Sequence, residues 1–420
     1  MSTRKRVDRP FVHHVAGYRI ILQPTPNPVI DVECAINAGF VTETKQTSGV
    51  NHLLEHILTD AWKKCGSTCS GFWSDKGVDM NASTDETLLQ YHTKGTLTYI
   101  DSMVAYITSI ATHPVFKLKV LKKEKEAVID EMSTYGSDPE SKLDQLFNEH
   151  FYTGGLVHKD DWKLQIKNLK HLDLETLKQV FREHYNPRNI LFIVKGKFNV
   201  HHILQVFEKE LKKKPLGTVY TPSSCFTFDH GIYFSKQDSP TTTIAIGFPS
   251  IISAHDPASV HLNTLCGVLN DLLFQKLRTE LTLVYGVQFG YTMNICGTVV
   301  MCSINVREKH VVECLRTLFS ELRRYTKELF PSKTLFAARE RELFNYNNHL
   351  PYTRDYLVQF MHQVNESKPL IFSRAERVRM VSNVKAQTLQ RLFLRACVLD
   401  HTMVVYQGKR DLKLDWKLFL

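Results

Sequence analysis

The strongest constraint on this chain is that part of it is written twice. Thr176-Leu177, Phe181 and Gly196-Lys197 recur as Thr388-Leu389, Phe393 and Gly408-Lys409, every pair 212 positions apart with no gap between them. Apolar character repeats with the same offset, as in Val180 with Leu392 and Ile193 with Val405. Both copies predict a helix of 3.6-residue period followed by a buried strand, Ile190-Leu191-Phe192-Ile193-Val194 in one and Met403-Val404-Val405-Tyr406 in the other. A constant offset is what duplication leaves behind. The starts of the halves correspond as well. Residues 30–40 run into Ala35-Ile36-Asn37-Ala38-Gly39-Phe40, and residues 241–248 end in Ala245-Ile246-Gly247-Phe248, each ahead of a strongly apolar helix. Lysine, proline, glycine, threonine and serine collect at 212–224, where the linker is expected. Each half reads strand, helix, strands, helices, strand, so the expected class is α+β, with domains at 1–212 and 213–420. At 420 residues, each domain is large enough for its own core.

Bulk properties exclude several functions. Apolar residues are 43% and charged residues 23%, ordinary for a soluble globular protein, and no run of about 20 apolar residues predicts a membrane span. The basic start, Met1-Ser2-Thr3-Arg4-Lys5-Arg6, has no apolar stretch behind it and reads as neither secretory signal nor transit peptide. The net charge of +10 is spread over scattered pairs such as Lys122-Lys123 and Arg323-Arg324, with no arginine-rich arm, so no nucleic-acid partner is expected. Nine cysteines in an odd count show no framework spacing, which favours a reducing, intracellular compartment, the cytoplasm above others.

The chemistry gathers at His52-Leu53-Leu54-Glu55-His56. On a helix, His52 and His56 share a face and reach one ion at about 2.0–2.1 Å. Glu55 lies beside that face, where a carboxylate takes a proton from metal-activated water. Leu53, Leu54, Ile57 and Leu58 anchor the rest of the helix in the core. A catalytic zinc takes three protein ligands and keeps a fourth position open. The helix-forming stretch 124–131 sets Glu124 and Glu131 two turns apart on one face. Glu131 is the expected third ligand and Glu124 the residue that orients a ligand, while Glu126 and Asp130 read as solvated.

With these residues in place, the chain resembles the pitrilysin/insulinase family of inverted zinc proteases over nearly its whole length. It is most similar to half-length members such as mitochondrial processing peptidase subunits. Glu131 follows His56 by 75 residues and closes an E-x6-E pair with Glu124. Further matching stretches are Ala38-Gly39-Phe40 with Glu43, Gly49-Val50-Asn51, Asn81-Ala82-Ser83-Thr84, His113-Pro114-Val115-Phe116, Asp138-Pro139 and Tyr185-Asn186-Pro187. The resemblance implies two homologous α/β-roll domains, each a mostly antiparallel sheet packed against helices. It implies a zinc endopeptidase with one Zn2+ per chain. Peptide substrates would add as a β-strand at Asn81 and Ala82 inside a closed chamber. In the second half, Arg278 and Tyr285 match the family's R-x6-Y pair, implied to meet peptide and oxyanion from another half-molecule. A homodimer would supply that arrangement, and a heterodimer with a related subunit is the alternative.

Three other readings stay open at this stage. The chain fits a catalytically inactive scaffold relative. Cys65 and Cys69, following the two histidines, fit a structural zinc site. A basic nucleic-acid-binding protein is the third.

Overall fold

The structure is a computed structural model that describes residues 11–66, 68–220, 225–227, 230–250, 252–253, 256–294, 297–348 and 374–419. It divides into two compact units, Met1–Ser137 with Gly154–Ser223, and Asp138–Thr153 with Ser224–Leu420.

The first unit is built on six strands: β1 (Phe11–Val15), β2 (Tyr18–Pro24), β3 (Ile30–Ile36), β4 (Asp79–Thr84), β5 (Leu89–Gly95) and β6 (Ile190–Gly196). They lie in the order β1-β2-β6-β3-β5-β4, antiparallel except for β2 beside β6. The second unit has β7 (Ile232–Lys236), β8 (Thr241–Ser250), β9 (Val284–Asn294), β10 (Gly297–Arg307) and β11 (Met403–Gly408), in the order β7-β11-β8-β10-β9. Here again one pair, β7 with β11, is parallel and the rest are antiparallel. Leaving β1 aside, the two orders are the same, each strand in the place of its counterpart. The α+β class and the duplication are both visible in this register.

Helices cover the sheets with their apolar faces. In the first unit these are α1 (Val50–Thr59), α2 (Cys69–Ser74), α3 (Ile100–Thr112) and α4 (Leu118–Ser137). A fifth, α5 (Pro139–Phe151), belongs to the second unit, and α6 (Trp162–His171), α7 (Leu174–His184) and α8 (Val200–Glu210) return to the first. Leu53, Leu54, Ile57 and Leu58 of α1 are fully buried in one cluster with Val32, Cys34 and Ile36 of β3. No helix among the described residues is long and apolar enough to cross a membrane.

Two local features depart from a simple reading of the pattern. Strand β3 stops at Ile36, because the chain turns at Gly39, where φ is +144° and a Cβ would meet the Asp85 carbonyl at 2.3 Å. Helix α5 lies in the first half of the sequence but packs on the second sheet. Its Leu143, Phe147 and Phe151 are buried. Gly247 of β8 makes room for them, since a Cβ there would stand 2.6 Å from the Phe151 ring and 2.7 Å from that of Phe147. The contact is between residues a hundred apart, and helical periodicity is silent on which sheet such a face will choose.

The cysteines are not all free thiols. Cys65 and Cys69 form a disulfide across the turn between α1 and α2, and Cys225 is also disulfide-bonded. The thiols of Cys65 and Cys69 are therefore not free to ligate a structural zinc ion.

Candidate metal centre

Helix α1 is pinned before it presents any side chain. The buried Glu43 carboxylate accepts the backbone N–H of Gly49 (2.9 Å) and of Asn51 (2.9 Å), two of the donors that a helix start leaves without partners. The Asn51 amide in turn donates to the Gly39 carbonyl (2.8 Å) and to the Thr42 hydroxyl (3.1 Å). With the leucine and isoleucine face locked in the core, the opposite face is held toward a cavity of about 950 Å3.

One ligand atom each from His52, His56 and Glu131 lies within 4.8 Å of the others. The Glu131 carboxylate oxygen Oε2 is 3.4 Å from His56 Nε2 and 3.7 Å from His52 Nε2. Donors around a tetrahedral zinc at about 2.0–2.1 Å stand about 3.3 Å apart, so the Glu131 oxygen is within a few tenths of an ångström of that separation from each imidazole. Burial, and after it the neighbouring His56, push His52 down to about 4, which keeps its imidazole neutral and its lone pair available. The donor set of two imidazoles and a carboxylate fits a catalytic rather than a fully closed zinc site.

Behind the triad, the Glu124 carboxylate contacts His56 Nδ1 at 3.4 Å. A His56 that donates from Nδ1 turns its Nε2 lone pair toward Glu131 and His52. Glu124 is buried, and its other oxygen is 2.8 Å from Lys123 Nζ, which also stands 3.7 Å from Asp60. Asp60 accepts the N–H of Cys69 (2.7 Å), so the disulfide-closed turn is tied to the same group of charges. Glu126 and Asp130 are exposed on the far side of α4.

Glu55 is 8% exposed and its Oε2 accepts the Thr84 hydroxyl at 2.9 Å. Burial raises its carboxyl to about 6, opposed by His56 and by the Thr84 bond. Thr84 ends β4, the edge strand of the first sheet, whose Asn81 and Ala82 line the same cavity. Along β4 the exposed Asp79, Asn81 and Ser83 alternate with the half-buried Met80, Ala82 and Thr84. The Ala82 N–H is taken by the Asn81 side chain (2.9 Å).

Arg278 and Tyr285 lie in the second unit and are brought together there. Arg278 sits in a π-helical turn, Phe274–Glu280, and donates to the Val284 carbonyl at 3.2 Å. Its guanidinium is 6.0 Å from the Tyr285 ring, as is that of Arg307, and Tyr285 is 55% exposed. In the sequence Thr84 stands only within a matching stretch, and Lys123 reads as one of the scattered surface charges. The period-2 alternation from Met80 to Thr84 was the available signal for the first. No sequence signal marks the second.

Comparisons with known proteins bear on the family and the fold. The family profile described as "Insulinase (Peptidase family M16)" matches residues 19–159, and that described as "Peptidase M16 inactive domain" matches residues 171–341. Among curated proteins, the chain is 24% identical over 281 residues to the uncharacterized zinc protease YmxG of Bacillus subtilis, covering 64% of this chain and 67% of that one. It is 23% identical over 197 residues to the mitochondrial-processing peptidase subunit beta of Dictyostelium discoideum, covering 46% and 42%. Among solved structures, a protease from Helicobacter pylori matches with a TM-score of 0.80 at 16% identity, over 95% of this chain and 99% of that one. A peptidase M16 inactive domain from Pseudomonas fluorescens matches with a TM-score of 0.80 at 16% identity, over 97% and 100%. Two family profiles in sequence order, over a duplicated fold with one His-His-Glu triad among its described residues that could hold a metal ion, place this chain in the insulinase family of peptidases, peptidase family M16.

Proposed function

We propose that this protein is a zinc-dependent endopeptidase that cleaves peptides or unfolded segments bound as an added strand along β4. The observation that carries the proposal is the convergence of His52, His56 and Glu131, whose carboxylate oxygen stands 3.4 Å and 3.7 Å from the two imidazole nitrogens, close to the separation of donors around a tetrahedral zinc. These three residues would hold the ion. Zinc, when bound, supplies a Lewis acid and lowers the pKa of water to about 7. Glu55 is the base: it takes the proton of the attacking water and returns it to the leaving amine. Glu124 keeps His56 in the orientation that points Nε2 at the triad. The edge of β4 offers backbone groups to the peptide, and the Asn81 amide now on the Ala82 N–H stands in for a substrate carbonyl.

Arg278 and Tyr285 are proposed to act on the oxyanion at the site of a second copy in a homodimer. The exposed phenol beside two guanidinium groups supports that role, since it presents a hydrogen-bond donor in a cationic setting. The alternative of an inactive relative keeps one specific support, the match of residues 171–341 to an inactive-domain profile. The experiment is a peptide-library digest by purified, zinc-loaded protein, read by mass spectrometry beside Glu55→Gln. Cleavage by the wild type, with turnover at least ~10²–10⁴-fold lower in a Glu55→Gln variant that keeps its zinc, supports the reading. A zinc-loaded wild type that cleaves nothing returns the chain to the scaffold class.

A further inference from the structure

We propose that Thr84 is the residue that positions Glu55, tying the orientation of the base to the strand that binds the peptide. The inference rests on the reading of Glu55 as base. Its own support is geometric. The two Glu55 oxygens have different surroundings. Oε2 accepts the Thr84 hydroxyl at 2.9 Å, the one hydrogen bond to this carboxylate among the described residues. Oε1 has no partner among them and is not among the sealed, unsatisfied atoms, so it opens toward the cavity that Glu55 lines. A carboxylate whose oxygens were both free would rotate about its last bond, because that torsion is soft. One clamped oxygen fixes the plane and directs the other.

Thr84 can do this because of its place in the fold. It closes β4, pairing with Leu89 of β5, and the pleat puts it on the same face as Met80 and Ala82. That face looks onto α1, whereas the strand's backbone edge away from β5 lies open. A peptide laid along β4 therefore stiffens the element that carries the clamp. The hydroxyl is the part of Thr84 that matters, and a valine side chain in its place would fill the same volume without it.

Hydrogen bonds to charged groups are worth about tenfold to a hundredfold in an equilibrium or rate. Thr84→Val is expected to lower kcat by about 10- to 100-fold, with KM for a quenched-fluorescent peptide and zinc content by mass spectrometry unchanged, and Thr84→Ser to keep most of the wild-type rate. In the Glu55→Gln background, Thr84→Val should cost less than about threefold more, because the group it positions is gone. Equal losses in both backgrounds, or a Thr84→Ser variant no better than Thr84→Val, would overturn the assignment. If Thr84→Val fails to fold by circular dichroism, the ratio of Thr84→Ser to Thr84→Ala decides in the same way. A Glu55→Gln variant as active as wild type instead refutes the base itself, whatever Thr84 does.

Discussion

Glu124 offers the most discriminating test of how the metal centre is held. Its carboxylate touches His56 Nδ1 at 3.4 Å from a buried position, so the contact acts where water screens little. Removing such an orienting group typically weakens metal binding by about 10–100-fold, or roughly 1.4–2.8 kcal/mol at 1.4 kcal/mol per tenfold. Glu124→Ala should fall in that range. Glu131→Ala, which removes a ligand, should lose far more. Lys123 pairs with Glu124 at 2.8 Å, but its side chain is 63% exposed. An exposed pair is worth about 0–1 kcal/mol, so Lys123→Ala should weaken zinc by no more than about fivefold. Glu126→Ala, on the solvated side of α4, should do nothing. Competition against a chromophoric chelator at fixed pH gives all four affinities on one scale. If Glu124→Ala binds zinc as tightly as wild type, or as poorly as Glu131→Ala, the division between ligand and orienting residue is wrong.

Cys65→Ser with Cys69→Ser should leave zinc content unchanged, because the pair is a disulfide. Opening its short loop should cost about 2 kcal/mol by chain entropy, seen as a lower denaturant midpoint, and zinc loss would refute this. Glu43→Ala strands two amide donors at the start of α1 and should cost about 2–4 kcal/mol in the same assay, whereas a loss under about 0.5 would show that water replaces the cap. Burial raises the carboxyl of Glu342, bonded to Thr264, to about 7, so its neutral form is the one the fold favours. Its contribution is then fully present below about pH 4.5 and is lost as pH rises toward 7, by about 3 kcal/mol relative to Glu342→Gln; parallel pH profiles for the two proteins would contradict this. Finally, subunits carrying Glu55→Gln, mixed with subunits carrying Arg278→Ala and Tyr285→Phe, should regain about half the wild-type activity per mixed dimer. No recovery despite proven subunit exchange would mean the pair does not act across a dimer.

Much of this molecule was legible because its strongest signals are periodic. The 212-residue offset of Phe181 with Phe393 foretold two sheets of like strand order, and both residues are buried on helices of matching place. His52, Glu55 and His56 were legible because four-residue spacing on a helix fixes a shared face. Glu131 was legible because α4 runs unbroken from Leu118 to Ser137. What escaped depended on contacts between distant segments. The allegiance of α5 rests on Gly247, and the Thr84 bond to Glu55 spans 29 residues and two element types. The Cys65–Cys69 bridge escaped for another reason, since compartment rather than spacing governs whether two near thiols join.

Strand β4 carries a hazard along with its opportunity. An unpaired strand edge recruits other strands, and proteins usually blunt such edges with proline, a bulge or a covering loop. None of these could be used on an edge that accepts a peptide in the way proposed for β4. What β4 has instead is shortness, six residues, and a polar outward row of Asp79, Asn81 and Ser83. These side chains discourage a broad apolar sheet from stacking on the edge while leaving the backbone open. Self-association is thus held back by three side chains rather than by a barrier. Asp79→Val with Ser83→Val would be expected to promote aggregation through the open edge of β4, with the positions of His52, His56 and Glu131 unchanged.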